Sequence, residues 1–202
     1  MNKILVILTS VLLSTSSMAM TGSYGISSDY VWRGVSQSNG PAVHLGLKQE
    51  LGQGFYAGVW TSNVEIEGVK EVEGDFYGGF SHKFENNFTL NLGMVAYRYS
   101  GDVAQDLEEK FVGMGYGPIN IGKVTGIDAA RDYEFVDLKL PFITVADVKL
   151  HYGDYEGIRD TSMSIKYSLT DSMKVEMLVQ SNVRSDNVAF GDAVSLHLTN
   201  HF

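Results

Sequence analysis

Apolar and polar residues alternate along this chain with a period of two, from Thr21 to Phe202. That period sends successive side chains to opposite faces of an extended strand, so each strand has one apolar and one polar face. The clearest case sets Met163, Ile165, Tyr167 and Leu169 against Ser162, Ser164, Lys166 and Ser168. The last segment behaves likewise: Val194, Leu196, Leu198 and Phe202 share one face, and Ala193, Ser195, His197, Thr199 and His201 the other. Val43, Leu45 and Leu47 alternate with His44, Gly46 and Lys48, and Val136, Leu138 and Leu140 with Phe135, Asp137 and Lys139. In the first segment Gly22, Tyr24, Ile26, Tyr30 and Trp32 fall together against Ser23, Ser27 and Asp29. Phe55 to Ser62 carries aromatics on both faces and leaves its register open. About twelve strands result.

The connections sharpen the picture. Short ones fall near residues 52–54, 85–87, 117–118, 141–145 and 170–172, and long ones near 34–41, 63–73, 100–107, 125–132, 154–160 and 182–192. Short periplasmic turns and longer outer loops belong to membrane barrels, whereas a soluble sandwich has no reason to alternate loop lengths. The pattern predicts an all-β fold, a transmembrane antiparallel up-and-down β-barrel of about twelve strands over residues 20–202, with both ends periplasmic. Tyr30 and Trp32, Tyr97 and Tyr99, Phe88, Tyr152 and Tyr155, and Phe202 lie near strand ends, where interfacial aromatic belts are expected. Val194, Leu196, Leu198 and Phe202 also resemble the C-terminal signal read by the barrel-assembly machinery, with Asn200 where that signal has an aromatic or apolar residue.

Composition narrows the classes. The absence of cysteine excludes a disulfide framework, a thiolate metal site and a cysteine nucleophile. A net charge of −9 with no basic stripe argues against nucleic acid. Met1-Asn2-Lys3, an apolar run from Ile4 to Leu13, and the small residues up to Ala19 predict a cleaved secretory signal peptide over residues 1–19. That run is too short to span a membrane as a helix. Leader and barrel together predict the outer membrane of a Gram-negative envelope, with lipid and lipopolysaccharide as surroundings.

Ser28-Asp29-Tyr30-Val31-Trp32-Arg33-Gly34-Val35-Ser36-Gln37 resembles the signature near the N-terminus of the TorF-type porin family. Asp75-Phe76-Tyr77-Gly78-Gly79-Phe80 is similar to that family's following strand. The resemblance implies an outer-membrane barrel and, more loosely, transport. It brings no site residues and no cofactor.

If the apolar faces meet lipid, the opposite faces line the lumen with His44, Lys48, Glu50, Asp75, Lys83, Asp137, Lys139, Asp147, Lys149, His151, Lys166, Lys174, Glu176, His197 and His201. A charge on the lipid face would cost about 2–4 kcal/mol at mid-depth for a basic residue. These residues either line a narrow aqueous channel for small polar or ionic solutes, the favoured reading, or form a salt-bridged plug in a non-conducting structural or adhesive barrel. Lys139 is expected near Asp147 or Lys149. Carboxylates gather in the expected loops: Glu65, Glu67, Glu71, Glu73, Asp102, Asp106, Glu108, Glu109, Asp128, Asp132, Glu134, Asp154, Glu156, Asp160, Asp186 and Asp192. They make either a solvated surface or an acidic vestibule that favours cations or binds divalent ions. Catalysis is not expected, an outer-membrane lipase-type enzyme being the least favoured reading. Of the histidines only His82 shares a face with apolar neighbours, and neither a Gly-x-Ser-x-Gly elbow nor a His-Glu-x-x-His motif occurs.

Overall fold

The computed structural model describes residues 19–128, 130–155, 157–184 and 189–202, with side chains left out between 182 and 193. Residues 1–18 of the expected leader, Glu156, Asp186 and the Asp192 side chain lie outside the described residues. The strands are β1 (Met20–Ser27), β2 (Val31–Trp32), β3 (Val35–Ser36), β4 (Ala42–Gly52), β5 (Phe55–Ile66), β6 (Val69–Lys83) and β7 (Phe88–Tyr99). They continue with β8 (Leu107–Tyr116), β9 (Ile119–Ile127), β10 (Tyr133–Lys139), β11 (Asp147–Tyr155), β12 (Ile158–Ser168), β13 (Met173–Arg184) and β14 (Ala189–His201). Twelve of them form a closed antiparallel barrel, and β2 and β3 make a small hairpin of their own within the first loop.

Closure is made by β1, which pairs with β4 on one side and β14 on the other. Ser23 stands opposite His201 and Ser27 opposite His197. Gly22 and Phe202 exchange backbone hydrogen bonds of 2.8 and 2.9 Å. A closed sheet has no unpaired edge, the condition for strands to survive in hydrocarbon.

The two faces are inverted relative to a soluble protein. Val43, Phe76, Val194 and Leu196 are among many large apolar residues exposed on the outside, while Glu71, Glu73, Glu109, Asp160 and Ser195 are buried on the inside. The register that the sequence left open in β5 is now defined: Phe55 and Val59 face out, and Tyr56 and Trp60 lie on the inner face with buried Ser62 and Val64.

Loop lengths depart from expectation. Residues 63–73 are not a loop: β5 and β6 run on as paired strands to Ile66 and Val69. Glu67 and Gly68 alone turn the chain, with φ of 53° and 80°, the left-handed pair that a tight hairpin requires. The connection expected at 154–160 shrinks because β11 reaches Tyr155 and β12 begins at Ile158, and the one expected at 182–192 because β13 reaches Arg184. Long and short connections therefore do not alternate regularly. Strands standing clear of a membrane need no apolar face, so their polar sequence reads as loop. The connection expected at 100–107 remains, from Ser100 to Asp106, and the one expected to be short at 141–145 is as long, from Leu140 to Ala146; the longest, Ser28 to Pro41, turns into the barrel.

Aromatic placement is corrected as well. At the terminal end, where β1 begins and β14 finishes, Tyr24, Phe55, Tyr116, Tyr167 and Phe202 form an exposed outer girdle. At the opposite end Tyr30, Trp32, Tyr97, Tyr99 and Tyr155 belong to no outer belt. They lie inside, around the folded-in first loop.

Candidate functional site

The first loop is held in shape by its own polar residues. Asp29 takes hydrogen bonds from Ser36 at 2.7 Å and Ser38 at 3.0 Å, and Ser38 Oγ accepts the Tyr30 N–H at 2.8 Å. Glu65 N–H donates to the Gln37 carbonyl at 2.7 Å, fastening the loop to the β5–β6 hairpin. The β2–β3 hairpin turns at Arg33 and Gly34, with φ of 46° and 77°. Arg33 thus sits at the tip in the left-handed conformation of a two-residue hairpin turn, and its side chain is held by further contacts.

Those contacts come from the inner wall. The Arg33 guanidinium meets the Glu109 carboxylate with both nitrogens, at 2.8 and 2.9 Å. Tyr97 donates its hydroxyl to the same carboxylate at 2.9 Å. The Arg33 side chain is 9% exposed and Glu109 1%. The guanidinium also lies 4.1 Å from the Trp32 ring centre, 4.3 Å from Tyr133 and 5.4 Å from Tyr155, an aromatic cage for a cation. Tyr30 packs 5.1 Å from Trp60 and donates its hydroxyl to Glu73 at 2.8 Å. Burial first, and then the Glu73 carboxylate, push the Tyr30 hydroxyl well above its ordinary range, so it stays a protonated donor.

A second network adjoins the cage. Tyr133 reaches His151 Nε2 at 2.6 Å, His151 Nδ1 reaches Asp137 at 2.7 Å, and Asp160 lies 3.1 Å from His151 Nε2. The Tyr133 ring lies over Gly153, where any side chain would run into it. The missing Cβ gives the ring its seat beneath Arg33.

The expected lumen residues divide by position. His44, Lys48 and Glu50 on β4, Asp75 and Lys83 on β6, Asp137 and Lys139 on β10, and Asp147, Lys149 and His151 on β11 share the face opposite the exposed apolar residues. So do Lys166 on β12, Lys174 and Glu176 on β13, and His197 and His201 on β14. Lys48 pairs with Glu50 at 2.7 Å, Lys166 with Glu176 at 3.0 Å and Lys149 with Asp137 at 3.5 Å. His197 bonds Ser195 at 2.8 Å. Lys83 and His201 end their strands at the rim of the terminal end, both exposed. Lys139 stands directly opposite Lys149 in the ladder, not in an ion pair.

Glu71, Glu73, Glu109 and Asp160 depart from the expected solvated loops: all four are buried in the inner wall. Extending the period of two was the signal that would have found them. Glu71 and Glu73 share parity with Asp75, and Asp160 with Ser162 and Lys166. Among the described residues no group of His, Asp and Glu converges to hold a metal ion.

A model of bacterial proteins of unknown function, Gcw_chp, matches residues 13–137. The chain belongs to the Gcw_chp family. No curated protein sequence matches it. The KdgM porin superposes with a TM-score of 0.66 at 7% identity, over 91% of this chain and 98% of that one. Outer membrane phospholipase A from Escherichia coli follows at 0.51 and 10% identity, over 97% and 96%. The phospholipase of Salmonella typhi also gives 0.51, at 8% identity over 96% of each chain. Such identities speak for the fold alone: this Gcw_chp member has the barrel of bacterial outer-membrane proteins and is porin-like in form. On its outer wall His82 packs against Phe80 and Phe84.

Proposed function

We propose that this barrel is an outer-membrane channel for passive diffusion of small polar or ionic solutes, narrowed by its first loop. The observation that carries this reading is the folded-in loop, locked by Arg33 on Glu109 and caged by aromatics. It takes up the loop end of the lumen, while interior lysines nearer the terminal end stay open to water: Lys149 is 41% and Lys166 40% exposed. In this reading the terminal end is periplasmic, residues 1–19 direct export, and the Ser28–Gln37 and Asp75–Phe80 motifs are those of a TorF-type porin. Val194, Leu196, Leu198 and Phe202 then serve the assembly machinery. Outward Lys110 and the Lys123–Glu134 pair at 2.8 Å lie where lipopolysaccharide headgroups would meet the wall. Single-channel recording on refolded protein in planar bilayers is the test. Steps of uniform conductance support the reading.

The same lock favours one competing reading, a closed structural barrel in which the loop is a permanent plug. Silence in bilayers from correctly folded protein, in wild type and loop-released variants alike, would establish that alternative. Release of fatty acid from phospholipid by detergent-solubilised protein, with or without calcium, would replace both with an enzyme.

A further inference from the structure

At the terminal mouth of the barrel, lined in part by the connection between β10 and β11, lies a cavity of about 930 Å³ whose charged lining is Lys139, Lys149, Lys166, Lys174, Asp147 and Glu176. Four ammonium groups face two carboxylates. The geometry points to a binding site for extended multivalent oxyanions, a solute class that deepens the channel reading and rests on it.

Three features support this. First, charge is separated along the barrel. Three loop-end carboxylates are already used: Glu109 by Arg33 and Tyr97, Glu73 by Tyr30, and Asp160 by Tyr133 and His151. Glu109 is 1% and Asp160 5% exposed, so their charge is hidden from a solute, whereas Lys149 and Lys166 are in contact with water. The charge that a solute meets is therefore mainly positive. Secondly, the lysines are under-compensated. Lys139 lies directly across the ladder from Lys149, an arrangement that destabilises a sheet. Asp137, the partner of Lys149, is shared with His151. Among the described residues neither Lys139 nor Lys174 has an ion-pair partner. An anion spanning these groups would relieve the repulsion. Thirdly, the four lysines come from four successive strands, β10 to β13. Neighbouring strands lie about 4.8 Å apart, so the ammonium groups can address an anion with charges spaced by roughly 5 Å. Lysine is a point charge on a flexible stem. Recognition is then by charge and spacing, without the fixed geometry that arginine imposes, and it weakens as salt is added.

Inorganic tripolyphosphate is the probe. Calorimetric titration of the full barrel in detergent at low ionic strength is expected to show saturable binding, at least tenfold weaker in Lys139→Met/Lys174→Met and unchanged in Lys70→Met on the outer face of β6. In bilayers the wild type is expected to prefer chloride over potassium in a salt gradient, and Lys139→Glu/Lys174→Glu to shift the reversal potential toward potassium. Binding that is absent, or equal in wild type and the methionine variant, overturns the site even if the protein conducts. Lysine-dependent binding by a protein that never conducts upholds the site and removes the channel. If either double variant fails the heat-modifiability test for a folded barrel, Lys174→Met alone decides, with a threefold or greater loss expected.

Discussion

Replacing Arg33 with methionine keeps most of the stem's bulk and removes the guanidinium. Glu109 then remains almost fully buried with its ion partner gone. Breaking a buried pair from one side costs roughly 3–5 kcal/mol, because an uncompensated charge stays behind. Tyr97 still donates to one Glu109 oxygen at 2.9 Å, which places the loss near the lower bound. The cage adds a cation–π contribution of about 0.5–2 kcal/mol that disappears as well. A loss of about 3 kcal/mol changes the ratio of docked to released loop by roughly 150-fold, at 1.4 kcal/mol per tenfold. The twelve-stranded wall does not depend on the loop for its ladder, so release opens the lumen and leaves the barrel folded. Single-channel conductance is expected to rise several-fold, and protease is expected to cut between residues 28 and 41 in the variant but not the wild type. Arg33→Met/Glu109→Gln removes both charges and is expected to recover much of the docking, with a coupling of at least about 2 kcal/mol in a double-mutant cycle. Equal conductance and equal protease resistance in wild type and Arg33→Met, with coupling below about 0.5 kcal/mol, would refute the lock.

Tyr30 supplies a pH test with a definite sign. Its hydroxyl titrates above the unfolded value of about 10, so its contribution to docking is complete below that pH and is lost as pH rises beyond it. Protease sensitivity of the loop is expected to appear only at strongly alkaline pH, and Tyr30→Phe is expected to make its dependence on pH shallower, Tyr97 still donating to Glu109. His151→Leu leaves Asp160 without its histidine partner beside Tyr133, and is expected to lower the denaturant-derived stability by about 1–3 kcal/mol. A value near zero would mean that water replaces the imidazole. Phe202→Ala removes the ring lying over Gly22 and 6.3 Å from Tyr24. Because Phe202 is 66% exposed, the stability loss is expected near 1–2 kcal/mol, below the roughly 3–5 of a fully buried phenylalanine. Folded yield in cells is expected to drop more than refolding in detergent, and equal losses would argue against an assembly signal.

The strand pattern was legible because a barrel wall in lipid imposes the same condition at nearly every position, one side apolar and the other polar. Met163 to Leu169 satisfies it without exception, and β12 lies there. Where that condition lapses, the pattern misleads: Glu65, Glu71 and Glu73 read as a loop, yet belong to a hairpin paired out to Ile66 opposite Val69. Parity alone was enough to put His44, Lys166 and His197 on one face. It gave no sign of where Tyr30, Trp32 and Arg33 go, since a loop carries no period and a belt aromatic looks like a buried one. Glu109 and Arg33 are 76 residues apart, and only closure of the ring brings them to 2.8 Å. The sequence by itself determined the wall, because alternation is a local property of each strand. The loop inside it and the four lysines facing one cavity were decided by the tertiary structure: the loop needs the distant strand β8 brought round to it, and the lysines need four successive strands curved about one axis.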